Sequence, residues 1–136
     1  MNRTRTYSNT IDILKNSGLR PTRQRLALYK LLFENGPRHV CAEQLYDEAS
    51  RNRIRVSLAT IYNTLHQFQN AGLLGQVSLG DGRAWFDTNT DNHHHFHIPD
   101  AGTLIDIPEQ AIRFEKLPDL PSGTRVSSIG VMITLE

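Results

Sequence analysis

The chain has 136 residues, of which 38% are hydrophobic, and its formal net charge is +1 at pH 7. This length allows one compact domain or two very small ones, and no apolar stretch is long enough to cross a membrane. The N-terminus lacks the apolar region of a signal peptide, and the single cysteine, Cys41, excludes an internal disulfide, so we expect a cytoplasmic protein without a membrane partner.

The first half of the chain predicts four helices. Apolar residues recur there at helical spacing, and a glycine or an Asn-Gly-Pro sequence follows three of the four apolar stretches. The helices are marked by Ile11 and Leu14 before Gly18, by residues 26–33 after Pro21 and Thr22, by residues 42–49, and by residues 58–68 after Ser57. In the fourth helix we expect Leu58, Ile61, Leu65 and Phe68 to face the core.

After Gly72 the pattern changes to strands. Residues 74–79 and 83–88 flank Gly80-Asp81-Gly82, and an Asp-Gly pair between two extended runs is a strong signal for a β-hairpin. Helices followed by a hairpin predict a winged helix-turn-helix at residues 1–90 of an α+β protein.

Residues 91–136 predict a second, smaller domain. It contains strands at residues 93–98 and 103–107 and a short helix near residues 109–115. A final strand is indicated by alternating apolar residues, namely Ile129, Val131, Ile133 and Leu135.

Positive charge is concentrated in the first half of the chain. Up to Gly72 there are eleven Lys and Arg residues against five acids, and from Leu73 onward there are four against nine. This distribution indicates that the basic half meets a polyanion, although an ordinary solvated helical surface is the alternative interpretation.

The first turns of the fourth helix carry side chains suited to a DNA major groove. With the apolar face toward the core, the residues left outside are Ser57, Ala59, Thr60, Tyr62 and Asn63. Thymine methyl groups accept contacts from Ala, Thr and Tyr, and Asn can pair with adenine. Three arginines just before the helix are placed to hold phosphates: Arg51, Arg53 and Arg55. An ordinary amphipathic helix after a basic loop is the alternative, but the hairpin and the charge distribution favour binding to double-stranded DNA.

Four of the six histidines lie in the run Asp91-Asn92-His93-His94-His95-Phe96-His97. On an extended strand His93, His95 and His97 point one way, whereas His94 points the other way. Because imidazoles at alternate positions of a strand can share one metal ion, the run predicts a site that senses a metal or a metal-bearing cofactor.

An enzymatic function is not predicted. Histidines with Asp87 and Asp106 could hold a catalytic metal, and Ser57 or Cys41 could act as a nucleophile. However, no motif places a general base beside either nucleophile, and no Gly-rich phosphate loop is present. A passive metal store would leave the helices and the hairpin unexplained.

Several segments, in this order, resemble the ferric uptake regulator superfamily of bacterial metalloregulators. They are Gly18-Leu19-Arg20-Pro21-Thr22-Arg23-Gln24-Arg25, His39-Val40-Cys41-Ala42-Glu43-Gln44-Leu45-Tyr46, Val56-Ser57-Leu58-Ala59-Thr60-Ile61-Tyr62-Asn63-Thr64-Leu65 and the histidine run. The resemblance implies a homodimeric winged-helix regulator of AT-rich palindromic operators, with residues 91–136 as a small α/β dimerisation domain. It also implies that Tyr62 contacts bases in the major groove and that Arg20 reaches into an AT-rich minor groove.

The resemblance further implies a regulatory metal site. Its five positions hold His39, Asp87, His95, His97 and Asp106 in this chain. Three imidazoles and two carboxylates suit Fe(II), Mn(II) or Zn(II).

The chain departs from most of the superfamily in its cysteines. The CxxC pairs that bind a structural zinc ion through four thiolates are replaced by Ile98-Pro99-Asp100-Ala101-Gly102, so no structural zinc site of this kind can form. Cys41 is followed by Ala42, so the Cys-Pro haem regulatory pair is also absent, and we expect Cys41 to be a small buried side chain.

The missing zinc cysteines and the three consecutive histidines resemble the iron response regulator branch of rhizobia and related α-proteobacteria. That resemblance implies haem sensing at His93, His94 and His95, and control of genes for iron uptake, iron storage and haem synthesis. Imidazole is a common axial ligand of haem iron. The alternative is a repressor of the same superfamily that senses Fe, Mn or peroxide without haem, in which His93 and His94 only flank the metal ligands.

Overall fold

The computed structural model describes residues 3–136, with side chains from residue 9 onward. Arg3 and Arg5, which contribute to the basic half of the sequence, have side chains outside the described residues. The chain divides into two compact units, Met1–Thr90 and Asp91–Glu136. Within the described part, no helix combines the length and the apolar character needed to cross a membrane.

Four helices make up most of the first unit, as the sequence predicts. They are α1 (Arg3–Asn16), α2 (Arg23–Phe33), α3 (Ala42–Arg51) and α4 (Leu58–Asn70). The hydroxyls of Thr22 and Ser57 begin α2 and α4 by accepting the backbone N–H three residues later, at 3.3 and 3.1 Å. Gly18 and Gly72 follow α1 and α4 with φ of 77° and 81°, the left-handed conformation that commonly ends a helix.

A three-stranded antiparallel sheet completes the first unit. Its strands are β1 (His39–Cys41), β2 (Gly75–Ser78) and β3 (Ala84–Asp87), in the order β1-β3-β2. Strands β2 and β3 form the predicted hairpin, in which Gly80 and Gly82 adopt positive φ. The sequence does not predict β1, because a strand of three residues shows no periodicity and its partner lies far along the chain.

The core of the first unit joins the helices to the sheet. Its largest fully buried apolar residues are Leu14, Leu28, Leu32, Leu45, Ile61, Leu65, Phe68 and Phe86. Cys41 is also fully buried, as expected. The expectation that Leu58 faces this core is wrong, because Leu58 is 36% exposed. It is the first residue of α4, and helical side chains tilt toward the N-terminus, so this side chain points past the packed part of the helix.

The second unit is built on a mixed three-stranded sheet. Its strands are β4 (His93–Ile98), β5 (Thr103–Pro108) and β6 (Met132–Thr134), in the order β5-β4-β6. The central strand β4 pairs antiparallel with β5 and parallel with β6. The α+β class is therefore confirmed.

Two elements of the second unit are shorter than the sequence predicts. The helix expected near residues 109–115 is a single 3-10 turn, Glu109–Ala111, because so short a segment cannot offset the cost of helix nucleation. The final strand is reduced to β6, although the backbone of Val131 and Leu135 still hydrogen-bonds to β4 on either side of it.

Candidate metal and DNA sites

The first unit places an imidazole beside a buried carboxylate. In the β1–β3 pair His39 lies opposite Asp87, and the distance between Nε2 of His39 and Oδ2 of Asp87 is 3.1 Å. Asp87 is only 1% exposed, and its Oδ1 accepts the backbone N–H of Asn89 at 2.9 Å. Burial of a carboxylate is costly unless polar partners compensate it. The two side chains therefore form a fixed nitrogen and oxygen pair of the kind that binds divalent metal ions.

Arg38 holds the strand ends that carry this pair. Its backbone N–H donates to Oγ1 of Thr88 at 2.9 Å, and its carbonyl accepts the N–H of Thr88 at 3.1 Å. Its guanidinium donates two hydrogen bonds to Glu48 of α3, at 2.9 and 2.6 Å. Because Arg38 precedes His39 and Thr88 follows Asp87, these bonds keep the two candidate ligands in register.

The second unit groups two histidines with Asp106. The β4–β5 register places His95 opposite Asp106. Oδ1 of Asp106 lies 3.3 Å from Nε2 of His93 and 3.5 Å from Nε2 of His95. Nδ1 of His93 donates to the carbonyl of Asp91, which in the neutral ring leaves the Nε2 lone pair for a metal ion.

His97 lies two residues further along β4, away from this group. Its register partners are Leu104 of β5 and Thr134 of β6. The family resemblance implies His95 and His97 as ligands, whereas the structure brings His93 and His95 to the carboxylate. Strand alternation places all three histidines on one face, so only the β4–β5 register distinguishes among them.

His94 occupies the opposite, buried side of β4. It is 2% exposed, its Nδ1 accepts the backbone N–H of Val131 at 3.0 Å, and its ring lies edge-on to Phe114. Because Nδ1 accepts, the proton of the neutral ring is on Nε2. The three residues implied as a haem motif thus do not converge: His93 and His95 share one face and His94 lies on the other.

The residues expected to meet DNA lie at the N-terminal end of α4. Ser57, Ala59 and Asn63 are exposed, whereas Thr60 and Tyr62 are half-buried. Oγ of Ser57 caps the helix and also donates to the hydroxyl of Thr60 at 2.9 Å, so both hydroxyls are oriented. The arginines before the helix are exposed at residues 51, 53 and 55. This end of α4 therefore presents ordered polar groups beside exposed positive charge.

Arg20 is exposed on the segment between α1 and α2, and Arg25 positions it. Nη1 of Arg25 donates to the carbonyl of Arg20, and Nη2 donates to Oε1 of Gln67 in α4, each at 2.9 Å. The backbone that carries the expected minor-groove residue is therefore tied to the helix that carries the expected major-groove residues.

The side chain of Tyr62 is tied to α3. Its hydroxyl donates to Oε1 of Glu43 at 2.7 Å. This hydrogen bond lowers the pKa of the Glu43 carboxyl and raises the pKa of the Tyr62 hydroxyl. Tyr62 is therefore held as a neutral phenol beside an ionised carboxylate.

Several residues that hold these sites were missed by the sequence reasoning. Glu43, Arg25, Arg38 and Glu48 act through partners on other elements, so no local pattern identifies them. His93 did carry a signal, because strand alternation places it on the same face as His95.

The model of the ferric uptake regulator family matches residues 16–128. The peroxide-responsive repressor PerR of Staphylococcus saprophyticus is 35% identical over 98 residues, which cover 72% of this chain but only 66% of that repressor.

Two solved structures share the fold. The Vibrio cholerae ferric uptake regulator superimposes with a TM-score of 0.73 at 22% identity, covering 93% of this chain and 98% of that chain. The Pseudomonas aeruginosa ferric uptake regulator with manganese gives a TM-score of 0.67 at 24% identity, covering 90% and 92%. At these identities the structures establish the fold alone. Because the family model spans most of the sequence, the chain belongs to the ferric uptake regulator family.

Proposed function

We propose that the protein is a transcriptional regulator that binds double-stranded DNA as a homodimer in the cytoplasm and responds to a divalent metal ion. The observation that carries the proposal is that one folded unit contains both the ordered polar end of α4 and the fixed His39–Asp87 pair. Membership of the ferric uptake regulator family supports a regulatory rather than an enzymatic role.

In this proposal α4 enters the major groove of an AT-rich palindromic operator. Ser57, Ala59, Thr60, Tyr62 and Asn63 contact bases or the sugar-phosphate backbone. Arg20 enters the adjacent minor groove, where a narrow A-tract attracts guanidinium groups. The ties from Arg25 to both segments support simultaneous use of the two grooves.

Each unit contains its own group of proposed metal ligands. The first unit contributes His39 and Asp87, and the second contributes His93, His95 and Asp106, with His97 as the alternative that the family resemblance implies. Imidazole nitrogens and carboxylate oxygens favour Fe(II), Mn(II) or Zn(II) over metals that require thiolates. When bound, a divalent ion would supply positive charge that offsets the charge of the neighbouring carboxylate, such as the buried Asp87.

The second unit is the proposed dimerisation domain. It exposes large apolar side chains, including Ile105, Phe114, Leu117, Leu120, Ile133 and Leu135. An apolar surface of this kind favours association with a second copy. A two-fold dimer also matches a palindromic operator, because each recognition helix then meets an identical half-site.

The test is selection from a randomised duplex library, followed by affinity measurements with and without Mn(II). We expect an AT-rich palindrome, affinity that falls steeply with salt, and a change of about tenfold on adding Mn(II). Asn63→Ala should weaken the selected duplex by about tenfold, because a side-chain contact to a base is lost. Asn70→Ala is the matched control, since it makes the same change at an exposed position at the other end of α4.

Two outcomes of this experiment would contradict the proposal. A library from which the protein enriches no motif overturns the DNA-binding proposal. An affinity that is identical with Mn(II), Fe(II) and Zn(II) and without added metal overturns the metal response.

A second candidate ligand is haem bound at His93, His94 and His95, which would make the protein an iron-responsive regulator of iron-uptake, iron-storage and haem-synthesis genes. The histidine motif supports it, and the half-exposed ring of Phe114 adds an apolar contact beside His94. Ligation through Nε2 of His94 requires its proton to move to Nδ1, which breaks the bond from Val131. His93 or His95 is therefore the better axial ligand.

Hemin titration of the metal-free protein tests this candidate. We expect a Soret band that weakens strongly in His93→Ala and His95→Ala and less in His94→Ala. His97→Ala, on the same strand, is the control. A band of equal intensity in all four variants overturns haem binding at the motif.

Peroxide sensing is the remaining alternative, supported by the similarity to a peroxide-responsive repressor. Treatment of the Fe(II)-loaded protein with hydrogen peroxide should then release the selected duplex, whereas treatment of the Mn(II)-loaded protein should not. Retention of the duplex by both forms argues against this alternative.

A further inference from the structure

The hydroxyl of Tyr62 is hydrogen-bonded to Glu43 of the neighbouring helix α3. The phenolic proton is committed to Oε1 of Glu43, at a donor–acceptor distance of 2.7 Å. A tyrosine hydroxyl has one proton to donate, so Oη can only accept from any further partner.

Several features keep Glu43 in this role. It is the second residue of α3, where the positive end of the helix dipole stabilises a carboxylate. Its pKa is lowered, first by the hydrogen bond from Tyr62, next by a backbone N–H, and less by the thiol of Cys41 and the charge of Arg83, whereas burial acts in the opposite direction. Its other oxygen, Oε2, is buried. Because the pKa is lowered from an ordinary value of 4.5, the carboxylate is ionised at neutral pH.

A phenol that only accepts distinguishes the bases of the major groove. Adenine N6 and cytosine N4 are donors there, whereas guanine O6, the purine N7 atoms and thymine O4 are acceptors. A donor group on a base can satisfy the lone pairs of Oη, but an acceptor group would face them without a proton between the two. The ring of Tyr62 can still contact a thymine methyl in either case.

We propose that Glu43 is a specificity-determining residue that restricts Tyr62 to base pairs presenting a donor or a methyl group in the major groove. The proposal rests on the DNA-binding function proposed above. Glu43 acts through Tyr62 and does not itself touch the DNA, because its second oxygen is buried.

Substitution by glutamine separates this role from packing. Glu43→Gln keeps the size of the side chain, but its amide can donate to Oη as well as accept from it. In the first arrangement the phenolic proton is released, and Tyr62 can then donate to an acceptor on a base. Asp47→Asn is the matched control, because it removes one negative charge from an exposed position of the same helix.

The experiment is selection from a randomised duplex library with the full-length wild-type protein, Glu43→Gln, Asp47→Asn, Tyr62→Phe and the double variant Glu43→Gln/Tyr62→Phe. We expect Glu43→Gln to shift the preferred base at one position of each half-site by about tenfold, toward bases that present acceptors. Asp47→Asn should change the overall affinity but no base preference. In the Tyr62→Phe background, Glu43→Gln should cause no further change in preference, since no hydroxyl remains to be restricted.

The outcomes separate this inference from the function on which it rests. A wild-type protein that enriches no motif overturns both. A wild-type motif that Glu43→Gln reproduces without change overturns the role of Glu43 alone, as does a shift of the same size in the Tyr62→Phe background. A uniform loss of affinity with an unchanged motif identifies Glu43 as a structural residue and also overturns the proposal.

Discussion

Nε2 of His39 lies 3.1 Å from Oδ2 of Asp87. The two residues face each other on paired strands, β1 and β3, that lie far apart in the sequence. The carboxylate is almost completely buried, and the N–H of Asn89 orients its second oxygen. Such a pair combines a buried negative charge with a fixed imidazole ring. This combination favours binding of a cation over binding of a water molecule.

Asp87→Asn should therefore abolish most of the thermal stabilisation that Mn(II) gives the protein. Asparagine keeps the size of the side chain but removes the charge that attracts the ion. The measurement is the difference in Tm with and without Mn(II) for each protein, which cancels the effect of the substitution on the metal-free fold. Asp100→Asn, at an exposed position, should leave that difference unchanged. An equal Mn(II)-dependent rise in Asp87→Asn and the wild type would remove Asp87 from the ligand set.

A comparison of His93→Ala with His97→Ala distinguishes two ligand sets. The structure groups His93 with Asp106 at 3.3 Å, whereas the family resemblance implies His97. We expect His93→Ala to lower Mn(II) affinity by at least about tenfold and His97→Ala to lower it much less, because ligands and their immediate partners typically change affinity by this factor or more. Isothermal titration of both variants measures this directly. The reverse order would assign the ligand role to His97.

The features that the sequence predicts are those specified by neighbouring residues. Thr22 and Ser57 cap helices through the N–H three residues later, and the hairpin depends on Gly80 and Gly82 at its turn. Each of these signals is complete within a few residues, so a single sequence is sufficient to identify it.

The features that cannot be predicted from the sequence depend on the register of strands that lie far apart in the chain. Strand β1 exists because His39 pairs with Asp87, and the choice among the three histidines depends on where β5 aligns with β4. A change of two residues in that alignment would bring His97 rather than His95 opposite Asp106, with the same face of the strand exposed. The alternation of side chains along a strand has a period of two residues, so it cannot reveal a shift of two residues.

Phe68 and Leu58 test the correction to the α4 core face. Both occupy positions that helical periodicity assigns to the core, but Phe68 is fully buried and Leu58 is 36% exposed. Phe68→Ala should lower the free energy of unfolding by about 3–5 kcal/mol, because it creates a cavity. Leu58→Ala should lower it by less than about 1 kcal/mol. Urea unfolding monitored by circular dichroism gives both values, and similar losses would show that Leu58 contributes to the core after all.

The β2–β3 hairpin should lose stability in acid through Asp81. Its Oδ2 accepts the indole N–H of Trp85 and its Oδ1 accepts the backbone N–H of Arg83, each at 3.0 Å. These bonds lower the pKa of Asp81 below its ordinary value of 3.8, with the bond from Trp85 as the largest cause. A carboxyl whose pKa is lower in the folded state stabilises the fold above its unfolded pKa, and that contribution is lost as the pH falls through the folded pKa.

Trp85 is the only tryptophan, so its fluorescence reports the unfolding of this hairpin. The Tm of the wild type should exceed that of Asp81→Asn at about pH 6, and the difference should shrink as the pH falls below 3.8, because the wild-type carboxyl becomes protonated only below its ordinary pKa. Trp85→Phe removes the indole donor but keeps an aromatic ring. In that background, monitored by circular dichroism, Asp81→Asn should have a much smaller effect at the higher pH. A Tm difference that stays constant across this range would mean that the charge of Asp81 does not stabilise the hairpin.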